Sequence, residues 1–226
     1  EPNIIKIIDK NDSLKTKNSK ILDNSINRDI AQRNYLNAKI QEFDDEDLIL
    51  INDIDEIPNL NLFSYKKKIT IFKQKMFYYK FNLLYPDLIW MGSRISKKKH
   101  LLSPQWLRNI KTKNYPWYRF DTFFSDKKYR NIDFIENGGW HFSNIKTASE
   151  IEYKLKSYLH HREFDANPLT KSEIEKIMNN KKAIYNLKVD KRSNKIGEGE
   201  KLEKYLLDKL PKFLQNNLNR YKDWVD

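Results

Sequence analysis

Apolar residues gather in short runs along this chain, with long polar stretches between them. Ile4-Ile5-Lys6-Ile7-Ile8 predicts an opening strand, followed by a polar loop from Asp9 to Lys20. Ile26, Ile30, Tyr35, Leu36 and Ile40 recur at near-helical spacing and predict a helix from Ser25 to Phe43. The acidic turn Asp44-Asp45-Glu46-Asp47 launches Leu48-Ile49-Leu50-Ile51, an unbroken apolar run that suits a strand covered on both faces of a parallel sheet. From Ile69 to Ile95 the chain is strand-rich and aromatic. Ser103-Pro104 opens a short helix with Pro at its first position, and Ile132 to Ile135 forms another strand. Thr147 with Glu150, and Thr170 with Glu173, have capping-box spacing, so a helix starts at each. A break at Lys191 to Gly199 precedes a last helix near Pro211, and no internal repeat is found.

These elements predict an α/β fold with a mostly parallel central sheet and flanking helices. The chain has 226 residues, 39% of them hydrophobic, which is enough for one sizeable core. We read residues 1–190 as a catalytic domain and 191–226 as a C-terminal helical extension packed on it. An excess of 43 Lys and Arg over 31 Asp and Glu gives +12, which attracts a polyanion, an anionic membrane surface or a diphosphate-bearing substrate. Much of it lies in runs such as Lys66-Lys67-Lys68 and Lys97-Lys98-Lys99, which read first as solvated faces. Without cysteine, a disulfide framework and a thiolate metal site are excluded, and a reducing cytoplasm suits the chain. No apolar stretch approaches the roughly 20 residues of a membrane-spanning helix.

The chemistry concentrates after the apolar run, in Asn52-Asp53-Ile54-Asp55-Glu56-Ile57-Pro58. In an extended backbone Asp53 and Asp55 point to one face, about 6.6 Å apart along the strand. One Mg²⁺ or Mn²⁺ ion can bridge that gap and bind substrate phosphates as well. The plainer reading is a polar turn, but Glu56 adds a third acid, and clustered carboxylates repel unless a cation or hydrogen-bond donors offset them. Gly138-Gly139-Trp140-His141-Phe142-Ser143 is the second candidate. Its glycines allow close backbone approach to a ligand, Trp140 suits a sugar face, and His141 suits metal or phosphate. Against that, Trp140 and Phe142 fit a core equally well. His160-His161-Arg162-Glu163 closes the helix after Thr147, where cations complement the helix dipole without any further function. Arg28 and Arg33 are either solvated helix positions or phosphate ligands.

With those segments in order, the chain resembles glycosyltransferase family 17, whose best-known members add a bisecting N-acetylglucosamine to N-glycans. The resemblance rests on Asp29-Ile30-Ala31-Gln32-Arg33-Asn34, on Asp47 through Pro58, on Gly138 to Ser143 and on Lys154 to Phe164. Leu210-Pro211 with Asn217 and Tyr221 is similar to the family's closing helix. It implies a GT-A type fold, a UDP-sugar donor, a divalent metal and inversion at the anomeric carbon. Asp53 and Asp55 would be the metal and diphosphate ligands, while Glu56, Trp140, His141 and Glu163 would line the site. Asp29 stands where the family usually has Glu, and the family's opening strand and helix would precede Glu1.

The expected reaction is a single displacement in which a carboxylate deprotonates an acceptor hydroxyl as UDP leaves. Asp121, Glu136 and Glu163 are the candidate bases, with Arg33, Trp140 and His141 beside the donor and Asp53, Asp55 and His141 as metal ligands. The expected partners are a nucleotide-sugar and a glycan acceptor, with no nucleic acid, and with peripheral membrane contact through the basic surface of a cytoplasmic protein. Two rivals are a metal-dependent phosphodiesterase or nuclease using the same acids, and an RNA-binding module using basic runs and aromatics.

Overall fold

The computed structural model describes residues 5–113, 115–157, 164, 168–188 and 197–226. It is α/β: helices flank a seven-stranded sheet of order β1-β4-β3-β6-β2, with β5 on β3 and β7 on β4. The strands are β1 (Leu48–Ile51), β2 (Glu56–Pro58), β3 (Ile69–Tyr78), β4 (Leu83–Lys97), β5 (Ile132–Ile135), β6 (Gly139–Ser143) and β7 (Glu203–Lys204). The sheet is mixed rather than mostly parallel. β3 and β6 run parallel, whereas β1 with β4, β2 with β6, and β4 with β7 run antiparallel. β1 explains the difference. It ends the ladder order, with Leu48 exposed and Ile49 and Ile51 buried, so an unbroken apolar run hides a strand with one covered face.

Contacts divide the chain into two compact units, one of residues 1–51, 65–70 and 94–133, the other of 52–64, 71–93 and 134–226. In the first, described residues 5–8 do not form the expected strand. The Lys6 backbone N–H donates to Asn24 Oδ1 at 2.6 Å and Asn24 Nδ2 donates to the Lys6 carbonyl at 2.8 Å, so a buried asparagine replaces a strand partner. The first helix also starts earlier than its apolar spacing predicts. Ser13 Oγ accepts from the Thr16 N–H at 3.2 Å and starts α1 (Leu14–Tyr35), converting part of the expected loop into helix. α2 (Asn37–Ile40) follows as a separate turn. α3 (Pro104–Asn109) forms as expected, with Ser103 as its cap. Arg94, only 6% exposed, donates to the carbonyls of Leu107 and Ile110 at 2.7 and 2.9 Å, satisfying acceptors that a helix end leaves open.

In the second unit, successive β3 residues face different cores. Met76 joins Tyr79, Tyr85, Ile151, Ile174 and Ile184, while Phe77 joins Phe142, Leu210 and Leu214. The first core is covered by α4 (Ala148–Ser157) and α5 (Lys171–Asn179). Both start at the expected threonines. Thr147 and Glu150 exchange hydrogen bonds of 2.8 and 3.4 Å, and Thr170 and Glu173 form a full capping box. The second core is closed by residues 203–224, which hold β7, the short helix Lys212–Gln215 and 3₁₀ turns.

Candidate functional site

The site is built on the second unit, where a tight turn follows β1 in sequence. The Glu56 N–H donates to the Asp53 carbonyl at 3.0 Å, closing a four-residue turn whose tip, Ile54, is fully exposed. The segment is therefore not extended. Asp53 and Asp55 sit at two corners of a turn, and the strand alternation that placed them on one face does not apply. Asn52 Nδ2 braces the turn by donating to the carbonyls of Asp53 and Glu56, at 2.9 and 3.3 Å. The Phe142 N–H donates to the Asp55 carbonyl at 2.8 Å and ties the turn to β6.

Gly139 lets β2 lie against β6. Its φ is 139°, and a Cβ there would stand 2.2 Å from the Ile57 carbonyl oxygen. The glycine admits a neighbouring strand and not a ligand. The pairing sets Glu56 opposite His141. Glu56 is 2% exposed, with Oε1 accepting from Trp90 Nε1 at 2.8 Å and Oε2 accepting from the Asp53 N–H and Ser93 Oγ at 3.2 and 3.4 Å. Gln74 Nε2 extends the network by donating to Ser93 Oγ at 3.1 Å. So Glu56 organises the turn, and its carboxylate is spent on internal donors.

Asp55 behaves differently. Its side chain is 35% exposed, and Oδ2 lies 3.3 Å from His141 Nε2. Burial alone would push the Asp55 carboxyl up, but the His141 hydrogen bond and charge, with Lys154, outweigh it and hold the group below its ordinary value. Trp90 stacks on the imidazole, with ring centroids 4.6 Å apart and planes 29° off parallel. Among the described residues His141 Nδ1 is sealed from solvent and has no hydrogen-bond partner, so with Nε2 turned to Asp55 the ring serves to position that carboxylate. Lys154 of α4 donates to Asn144 Oδ1 at 2.7 Å, and burial lowers its ammonium while Asp55 offsets part of that. Beside it, Lys146, Ser149, Glu150, Tyr153 and Lys154 line a groove of about 600 Å³.

No family profile, curated protein or solved structure matches this chain.

The remaining expected residues fall elsewhere. Trp140 is adjacent to His141 on β6 and so faces the other side of the sheet, where its Nε1 donates to the Lys209 carbonyl at 3.1 Å and its ring packs with Phe77, Phe142 and Leu210. Arg33 belongs to the first unit, on α1, with Nη1 donating to Gln105 Oε1 at 2.9 Å. Asp121, also in the first unit, is bound by Arg119 at 2.7 and 2.8 Å and by Lys128 at 2.7 Å, which hold its carboxyl far below the usual range and make it a weak proton acceptor. Glu136 is exposed and paired with Lys73 at 2.5 Å. Glu163, with His160, His161 and Arg162, lies outside the described residues.

Among the described residues no group of three or more His, Asp or Glu side chains is arranged to hold a metal ion. Two carboxylates remain, Asp53 and Asp55, both part-exposed. Oxygen donors of this type suit Mg²⁺ or Mn²⁺, which bind through one or two carboxylates together with water and substrate phosphates. Sequence reading gave no site role to Trp90, Ser93, Gln74 or Lys154, although Trp90 lies in the aromatic stretch from Ile69 to Ile95 and Lys154 opens one of the segments that carry the resemblance.

Proposed function

We propose that the chain transfers a sugar, N-acetylglucosamine in the family it resembles, from a UDP-sugar to a glycan hydroxyl. The observation that carries this reading is the Asp55 carboxylate, kept ionised by His141 and set beside Lys154 at the edge of a groove. Asp53 and Asp55 would hold a divalent cation, which when bound would offset the charge gathering on a departing diphosphate. Lys154 and Lys146 supply further positive charge to phosphate oxygens, and the exposed ring of Tyr153 offers a face to a base or sugar. The His141 ring fixes Asp55 while Trp90 holds the ring, so the carboxylate meets its ligand with little reorganisation. The order of the four segments resembling family 17 supports the same reading, and the GT-A architecture belongs to the proposal.

The test is a donor panel with Mn²⁺, following UDP release from several UDP-sugars in the presence of oligosaccharide acceptors. Acceptor-dependent release that Asp55→Asn abolishes is the expected result. Cleavage of RNA or single-stranded DNA by the same acids, with no release from any donor, would replace transfer by phosphodiester hydrolysis.

A further inference from the structure

The first unit carries a surface that the proposed reaction does not use. Between Trp117 and Phe124, five large rings stand in solvent: Trp117 is 79% exposed, Tyr118 58%, Phe120 67%, Phe123 68% and Phe124 92%. Such a concentration of exposed aromatic surface marks a contact with another phase or molecule. The segment is also tied down. Thr122 is buried and its Oγ1 donates to the Arg119 carbonyl at 2.7 Å, Arg130 Nη1 donates to the Trp117 carbonyl at 2.5 Å, and the Lys111 N–H donates to the Lys127 carbonyl at 2.7 Å.

Charge identifies the occupant. From 111 to 131 there are six cations, Lys111, Lys113, Arg119, Lys127, Lys128 and Arg130, against Asp121 and Asp126. Asp121 is already matched by Arg119 and Lys128. Next to the rings, Lys68, Phe123, Lys128, Tyr129 and Arg130 line a cleft of about 320 Å³. We propose that this surface docks on an anionic lipid membrane, with the rings entering the interface and the cleft taking a lipid phosphate. Aromatic side chains favour the headgroup layer, and basic residues near it gain from the negative surface potential. No described helix is long and apolar enough to cross a membrane, and the contact proposed is an interfacial one. A single-stranded nucleic acid needs open ring faces for stacking. Here the Arg130 guanidinium lies 4.1 Å from the Phe123 centroid and covers one face, and Trp117 and Tyr118 meet edge to face at 6.1 Å.

The experiment is cosedimentation with phosphatidylcholine vesicles, with and without phosphatidylserine, at rising salt. Binding requires phosphatidylserine and weakens with salt. Trp117→Ala with Phe124→Ala, both at exposed positions, lowers partitioning at least tenfold at an unchanged melting temperature, and each of Lys68→Ala and Lys127→Ala lowers it about fivefold. Absence of binding to anionic vesicles overturns the proposal. So does a single-stranded RNA oligonucleotide that binds and is lost in the same variants, which would make the surface a nucleic-acid site.

Discussion

His141 Nε2 and Asp55 Oδ2 face each other at 3.3 Å, across the junction between an exposed turn and a buried strand. The His141 side chain is 8% exposed and the carboxylate is partly open to solvent, so the pair links the sheet to the surface. Because the folded Asp55 carboxyl titrates below its ordinary value, the unfolded chain takes up a proton first as pH falls. The pair's stabilisation is therefore present above the unfolded pKa of about 3.9 and is lost as pH drops through the lower, folded value. Urea unfolding of the parent and of Asp55→Asn checks this. The gap in stability between them is expected to be open at about pH 5 and to narrow as pH falls below the unfolded value.

The two acids of the turn differ in their surroundings, and their asparagine variants separate accordingly. Asp55→Asn removes a charge that cations compensate, and costs up to about 1 kcal/mol. Asp53→Asn leaves stability within about 0.5 kcal/mol. Both variants are expected to lose Mn²⁺-dependent UDP binding in calorimetric titration. Unchanged affinity in both would remove the turn from the nucleotide site.

Glu56 is a structural acid. Truncation to alanine leaves the buried Ser93 Oγ and the part-buried Trp90 Nε1 and Asp53 N–H without their acceptor, and an expected loss of about 3 kcal/mol follows. Glu56→Gln keeps one carbonyl oxygen for Trp90 and costs less. Chemical denaturation with Trp fluorescence reads both, and equal losses would mean that size and not acceptance matters.

Trp140 lies on the other side of the sheet from His141, packed on Phe142 and Leu210. Trp140→Ala is expected to cost about 2 kcal/mol, below the roughly 3 to 5 kcal/mol of a fully buried aromatic because the ring is only partly covered. Donor affinity at the Asp55 turn is expected to stay within about twofold. A large fall in UDP affinity at unchanged melting temperature would place Trp140 on the substrate.

α5 gives a control that contributes no residue to the turn or to the groove. Thr170→Ala removes the cap from its first turn and costs about 1 kcal/mol, read as a lower melting temperature with turnover unaffected.

Some of this architecture is written in neighbouring residues and was readable from them. The helices after Thr147 and Thr170 start where Glu follows three positions on, and α3 starts at Ser103-Pro104, because capping is settled within one turn of chain. The strand Ile132–Ile135 was legible in the same way. What partners decide was not. Ile5 to Ile8 have strand composition but meet the side chain of Asn24, and the apolar run of β1 lies at the end of a ladder because its partners are Arg94 to Lys97, more than forty residues on. Asp53 and Asp55 became corners of a turn because Glu56 found Trp90 and Ser93 in the interior and drew the backbone round to close on the Asp53 carbonyl. Local bonding energies are set by residues a few positions apart, whereas the direction of a strand, the face a side chain takes and the burial of a charge depend on contacts that exist only once distant segments have met.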